Sequence, residues 1–494
     1  MAVEWSTSAA PLLLDLDRAD PTPLGRQLER QVRDAIQSGR LAGGERVPSS
    51  RALAERLGIS RGLVQDCYAQ LLAEGYLVAH PGSATRVAEM PRSRRTLDAP
   101  TPASVAAPVV VSFSSGVPDL GMIPRADWAW ALREASRALP NALFDYGDPA
   151  GDPELRSVLA GYLRRVRAAD VSADDVIVCA GFAQGIVLVA EALVARGVDT
   201  IAHEDPGSGG TIGAAVRAAG GTAVPVRVDE QGLDVESLAV SGARAAVVTP
   251  AHQWPTGVVL SPERRHQLLQ WAERVDGVII EDEYDAEFRY DREPVGSLQG
   301  LSPDRVISIG TVSKSLAPGL RLGWAVLPHD LGPAVVGAKE RADRGNPVLD
   351  QRALAILMSS GRYDRHLRRM RAEYSRRRDA LVAAVAHDAP ALRVSGLAAG
   401  IHAVLHLPEG TDENEFVARA RAHGVAVSGM GRFSAAADPA DPCLVLGFGN
   451  TGIESIELGI RMLAELLLLV ETSGAATGAY TRNARAELLA EWPE

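Results

Sequence analysis

The sequence predicts an α/β protein made of two modules: a small winged helix-turn-helix, then a large domain with a mainly parallel sheet and helices on both faces. Three observations lead there. Between residues 22 and 88, apolar residues at helical spacing are interrupted by a glycine turn and followed by two short strand-like runs. From residue 89 to 108 the periodicity stops and prolines accumulate. Beyond, the apolar runs Val176–Cys179, Ala245–Val248, Gly277–Ile280 and Val306–Ile309 alternate with amphipathic helices, the pattern of parallel strands joined by helical crossovers.

The totals bound the reading. At 494 residues, 46% hydrophobic and 23% charged, the chain is long enough for two to four globular domains. A net charge of −11 argues against a protein that coats nucleic acid non-specifically, but leaves room for one small DNA-binding module. The three cysteines, Cys67, Cys179 and Cys443, are far apart, so neither a disulfide framework nor a metal site is indicated and a reducing cytoplasm fits. Met1 to Pro11 lacks the pattern of a signal peptide, and the apolar run Leu466–Val470 is too short to span a bilayer. The expectation is a cytoplasmic protein without a membrane partner.

In chain order, residues 12–88 form the first module. Thr22 and Pro23 are suited to open a helix carrying Leu24, Leu28, Val32 and Ile36, with Gly39 after its end. A second helix runs from Ser50 to Leu57. The turn Gly58-Ile59-Ser60 leads into a third, with Val64, Cys67, Tyr68, Leu71 and Leu72 on one face. This arrangement presents Arg61 and Gln65 to a major groove. The runs Gly75–Val78 and Thr85–Ala88, flanking a turn at Pro81-Gly82, read as the wing. Residues 12–95 hold 13 arginines against 10 acids, a local basic excess that phosphate contact needs. Cys67, on the packed face, reads as a small apolar filler. Residues 89–110 read as a flexible linker, 111–470 as the large domain and 471–494 as a C-terminal tail.

Within the large domain the most telling stretch is Gly310 to Gly323, centred on Lys314. The chain contains only two lysines, Lys314 and Lys339; arginine serves nearly everywhere else. An arginine stays protonated, whereas a lysine amine can lose its proton and attack a carbonyl, which points to a Schiff base where a strand hands over to a loop. Thr311, Ser313 and Arg321 add two hydroxyls and a guanidinium, a set suited to a phosphate monoester. A second strand ends in Glu281-Asp282-Glu283-Tyr284, placing a carboxylate and a phenol together. A third opens a helix at Gly181–Gly185, where the amides of Ala183 and Gln184 can receive an anion. His252 lies in a turn-rich stretch at another strand end, and Tyr146 precedes a helix beginning near Pro153.

The run Val47–Arg61 closely resembles the winged helix-turn-helix of GntR-family regulators. That resemblance implies DNA contact by Ser49, Arg51, Ser60 and Arg61, with the wing Gly82-Ser83-Ala84-Thr85 approaching the minor groove; Gln65 and Thr85 complete the candidate set. Ala84 departs from the usual Gly-Ser-Gly-Thr wing. The Lys314 stretch resembles the signature of fold-type I, class I aminotransferases, and the order of segments from about 111 to 470 is similar to that domain throughout, smaller C-terminal subdomain included. Together the two modules resemble the MocR/GabR subfamily. The resemblance implies pyridoxal 5′-phosphate (PLP) on Lys314, with Asp282 facing the pyridine nitrogen and Tyr284 the ring oxygen. Ser313, Thr311, Arg321, Ala183 and Gln184 would cradle the phosphate, and His252 would lie beside the ring. Tyr146 would reach the phosphate of a neighbouring subunit in a head-to-tail homodimer.

Three positions depart from the aminotransferase pattern. Trp254 stands where most aminotransferases have asparagine, an aromatic being usual in the MocR/GabR group. Ser208 stands where the group generally has a tyrosine stacked on the cofactor, and Val445 where many members have an arginine for the substrate carboxylate. Arg432 is one alternative source of that guanidinium. The expected function is a PLP-dependent transcription regulator that binds operator DNA and senses PLP or an amine or amino-acid effector. The alternative is a working aminotransferase with an appended DNA-binding module.

Overall fold

The computed structural model describes residues 3–4, 13–79, 84–89, 108–285, 287–290, 296–435 and 441–469. The turn at Pro81-Gly82, wing residue Ser83, most of the linker and the C-terminal tail lie outside them. The chain divides into two compact units, residues 1–104 and 105–494.

In the first unit, strands β1 (Val3–Glu4) and β2 (Leu13–Leu14) pair antiparallel ahead of helices α1 (Leu24–Gln37), α2 (Ser50–Leu57) and α3 (Arg61–Ala73). Strands β3 (Leu77–Val78) and β4 (Arg86–Val87) form the antiparallel wing. Leu28, Val32, Leu53, Val64, Cys67 and Leu71 share one core, and burial pushes the Cys67 thiol up to about 12, as a filler rather than a reactive thiol requires. Gly58 closes α2 with φ 64°, the left-handed geometry that a side chain resists. The start of α1 differs from the expectation: the N-cap is Pro23, without a side-chain cap. Buried Gln27 ties down the preceding segment instead, donating to the carbonyls of Thr22 (2.7 Å) and Asp17 (2.8 Å).

The second unit begins before the expected linker ends, since the Val110 amide donates to the Gly424 carbonyl at 2.8 Å. It opens with β5 (Val111–Ser112) and centres on an eight-stranded sheet. Its strands are β6 (Val176–Cys179), β7 (Thr200–Asp205), β8 (Thr222–Asp229), β9 (Gly232–Leu233), β10 (Ala245–Val248), β11 (Val278–Glu283), β12 (Val306–Thr311) and β13 (Gly323–Val326). The spatial order is β6-β13-β12-β11-β10-β7-β8-β9. Strands β8, β7, β10, β11 and β12 run parallel, while β13 is inserted antiparallel between β12 and β6, and short β9 folds back on β8. Apolar clusters pack against this sheet, one holding Ile186, Val189 and Leu193, another Leu268, Trp271 and Ala272, and a third Val176, Val178 and Trp324. The C-terminal part adds an antiparallel sheet of β14 (Arg393–Ser395), β15 (His402–His406), β17 (Ser428–Gly429) and β18 (Cys443–Gly447), while β16 (Val425–Ala426) pairs with β5. Among the described residues no helix is long and apolar enough to cross a membrane.

Candidate functional site

The carboxyl ends of the parallel strands deliver their loops to one cavity of about 270 Å³, lined by Lys314, Asp282, Tyr284, Trp254, Thr311, Ser313, Arg321, Ala183, Ser208 and Thr211 among others. Lys314 follows β12, and its Nζ donates to the Gly116 carbonyl at 2.5 Å. Burial lowers its pKa, opposed by the charges of Asp282 and Asp285. The neutral amine, the nucleophilic form, is thereby favoured over its ordinary population. Asp282 comes from β11, is 8% exposed, and its Oδ1 has no hydrogen-bond partner among the described residues. Burial first, then the neighbouring Asp285, holds this carboxyl well above the usual range. An orphaned buried carboxyl oxygen is costly unless a ligand supplies its hydrogen-bond partner.

Behind these residues lies a buried layer that the sequence did not reveal. The Tyr284 hydroxyl donates to the His252 carbonyl at 3.0 Å. His252 Nδ1 lies 2.8 Å from Asp285 Oδ2, and the His252 ring packs 4.7 Å from that of His402. His252 is fully buried and does not itself line the cavity; it meets the site through Tyr284, whose hydroxyl also lies 3.2 Å from its Nδ1. No spacing rule links Asp285 and His402 to His252; only the fold brings them together.

The same cavity is also lined by hydroxyls and a cation that gather around Gly181. A Cβ built on Gly181 would lie 3.4 Å from Thr311 Oγ1, 3.6 Å from Arg321 Nη1 and 3.8 Å from Ser313 Oγ. Thr311 Oγ1 and Ser313 Oγ are 2.8 Å apart, and Arg321 has a left-handed backbone with φ 52°. Ala183 sits in the first turn of helix Phe182–Ala195, where amides have no intrahelical acceptor and the dipole is positive. Gln184 departs from the expectation. Its amide donates to the Gly181 carbonyl (3.2 Å), and its side chain bridges the Ala180 amide (2.6 Å) to Asp343 (2.5 Å), outside the cavity lining.

Tyr146 is 74% exposed, under the Arg344 guanidinium at 5.2 Å, and lines a different depression from the Lys314 cavity of its own chain. Val445 is fully buried with Val404, Met430 and Cys443, and Phe433 packs on that cluster. Phe433 in turn meets Trp254 edge-to-face at 5.4 Å, so position 445 is apolar and screened from the cavity. Arg432 is exposed and does not line the cavity, whereas Ser208 does.

In the first unit Ser49 and Ser60 cap α2 and α3, accepting from the amides of Ala52 (3.2 Å) and Leu63 (3.3 Å). Each hydroxyl keeps its proton for an outside acceptor. Arg51, Arg61 and Gln65 are exposed, and neither arginine makes an ion pair among the described residues. Thr85 is half-buried at the start of the second wing strand, its carbonyl accepting from the Val47 amide at 3.0 Å.

Residues 108–442 match the family of class I and II aminotransferases, and residues 24–87 match the gntR family of bacterial regulatory proteins. The chain is 33% identical over 485 residues to the probable rhizopine catabolism regulatory protein MocR of Rhizobium meliloti, covering 94% of this chain and 97% of the relative. This chain belongs to the MocR/GabR subfamily of GntR regulators. It is also 32% identical to the pyridoxine biosynthesis transcriptional regulator PdxR of Corynebacterium glutamicum, covering 93% and 99% of the two chains. Among solved structures, an archaeal alanine:glyoxylate aminotransferase superposes with TM-score 0.66 and 28% identity, covering 72% of this regulator and 90% of the enzyme. The α-aminoadipate aminotransferase LysN of Thermus thermophilus, solved with N-(5′-phosphopyridoxyl)-L-leucine, superposes with TM-score 0.64 and 26% identity, covering 73% and 93%. The protein is thus a DNA-binding transcription regulator whose larger unit has the fold of PLP-dependent aminotransferases.

Proposed function

We propose that the regulator binds PLP at Lys314 and reports the cofactor's presence to operator DNA. The observation that carries this reading is that an orphaned Asp282 carboxyl oxygen and the hydroxyl and guanidinium cluster of Thr311, Ser313 and Arg321 line the same cavity as Lys314. The first suits a protonated ring nitrogen, the second a phosphate, and Lys314 adds an amine to the same cavity. PLP supplies, when bound, an aldehyde for the lysine and a pyridinium ring that withdraws electrons.

The residues divide the work. Asp282 would keep its proton-accepting oxygen on the ring nitrogen, Tyr284 would face the ring oxygen, and Thr311, Ser313, Arg321 and the Ala183 amide would hold the phosphate. Gly116 positions the Lys314 amine. What is depleted is the recognition of a substrate. Val445 offers no fork for a carboxylate and lies in an apolar cluster, and Ser208 gives no aromatic face at the cavity. A site that keeps groups for a cofactor and is depleted for its reaction partner suits a sensor of PLP, to which Tyr146 from a second copy would add a phosphate contact in a head-to-tail homodimer.

The second reading, a working aminotransferase, is favoured by the retained Lys314, Asp282 and Tyr284. The visible spectrum separates the two. A lysine-bound cofactor band that persists with a panel of amino acids supports the sensor; its rapid conversion to the amine form of the cofactor supports the enzyme.

A further inference from the structure

A second cavity, of about 460 Å³, opens between the end of helix Pro153–Arg167 and the first half of helix Arg362–Asp388. Its walls are charged and incompletely paired. Arg165 is joined to Asp364 at 3.0 Å, and Arg167 is joined to Glu283 beneath. Arg371 gives Nε and Nη2 to the Glu287 carbonyl (3.0 and 2.8 Å), a neutral acceptor that leaves its charge uncompensated. Arg368 is exposed and makes no hydrogen bond or ion pair among the described residues. Among the described residues the Glu287 carboxyl makes no ion pair either: it accepts from the Tyr162 hydroxyl at 3.5 Å, and burial pushes its pKa up to about 7. Among the described residues the cavity therefore presents two guanidinium groups without a carboxylate partner and one carboxyl group without a cation.

We infer that this cavity is a binding site for a dicarboxylic amino acid, separate from the Lys314 cavity. Two carboxylates match the forks of Arg368 and Arg371, and an ammonium matches Glu287. The location gives such a ligand a route to the first site. Glu287 and Glu283 lie on the same short segment as Asp282, Tyr284 and Asp285, with Asp282 and Tyr284 facing the Lys314 cavity and Glu287 facing this one. The inference does not require the first site to bind PLP.

The test uses full-length protein treated with PLP and borohydride, in which a reduced bond at Lys314 prevents any amino acid from reacting with the cofactor; mass spectrometry verifies the adduct. If no adduct forms, the PLP reading has failed, and the same titration on untreated protein still tests this site. Calorimetry with L-glutamate and L-aspartate at pH 8, where Glu287 is mostly ionised, should show one site per chain. Arg368→Ala and Glu287→Gln should each weaken binding at least tenfold, with circular dichroism unchanged. Succinate, which lacks the ammonium, should bind at least tenfold more weakly than aspartate. Absence of binding at millimolar ligand, equal binding of succinate, or full affinity in both variants would overturn the inference.

Discussion

A methyl group at position 181 would enter the space between Thr311 Oγ1 and Arg321 Nη1, at 3.4 and 3.6 Å, where the phosphate is proposed to sit. The backbone there (φ 82°, ψ −178°) is also one that only glycine adopts readily. Gly181→Ala should therefore cost roughly 1–3 kcal/mol in stability and lose most PLP affinity, measured by urea unfolding and by absorbance titration. Lys314→Ala should abolish borohydride-stable labelling by PLP while retaining weak reversible binding. Arg321→Ala should keep the covalent link but lower affinity by roughly 1.5–3 kcal/mol, the range for a hydrogen bond to a charged group. A fourth residue gives a pH signature. Burial pushes Glu204, beneath Thr249 and Gln253, up to about 7. The folded state then holds a proton that the unfolded chain releases near pH 4.3, so this group's contribution to stability is full below about pH 4 and is lost as pH rises to about 7. Glu204→Gln should flatten the fall in unfolding free energy between pH 5 and 8; an unchanged slope would show that Glu204 is already ionised. The lysine, its hydroxyls and the strand-end carboxylate were legible because each lies in a short motif. Asp285, His402 and Glu204 were not, because distant segments bring them together and no local pattern marks a buried polar layer.

At the scale of elements, the second and third helices were readable nearly to the residue, since Ser49, Gly58 and Ser60 are chemically specific boundary residues. The start of the first helix was misread at Thr22 because the side chain that orders that end, Gln27, lies within the helix. The strand Gly323–Val326 was not among the runs read from the sequence: it is four residues long and opens on a glycine, and the compact turn at Pro318–Leu320 returns it antiparallel beside β12. There Trp324 covers Gly310, where a Cβ would fall 2.4 Å from the indole, which explains a glycine inside a buried strand. For the recognition helix, Arg61→Ala should weaken specific operator binding by roughly 1–3 kcal/mol if its guanidinium reads a base edge. If it contacts phosphate alone, binding should weaken evenly across sequences and the salt slope should fall by about one. Anisotropy titrations on operator and scrambled duplexes at several salt concentrations distinguish these outcomes.

For the whole molecule, exposed Tyr146 suggests a site finished by a second copy, and light scattering at micromolar protein should give a dimer of this 52.2 kDa chain; a PLP-bound monomer would contradict that assembly. Two winged helices in one particle imply an operator with two half-sites, visible by footprinting. The sequence division into a DNA-binding module and an aminotransferase-like domain held at this scale because composition and periodicity change together near residue 89. The coupling between the modules has no such signature. It is tested most directly by titrating PLP into apo protein while following operator affinity, for the native chain and for Lys314→Ala. A saturable change in affinity is expected at the PLP concentration that fills Lys314, absent or displaced to much higher concentration in the variant. Full cofactor loading by absorbance with operator affinity unchanged would contradict it.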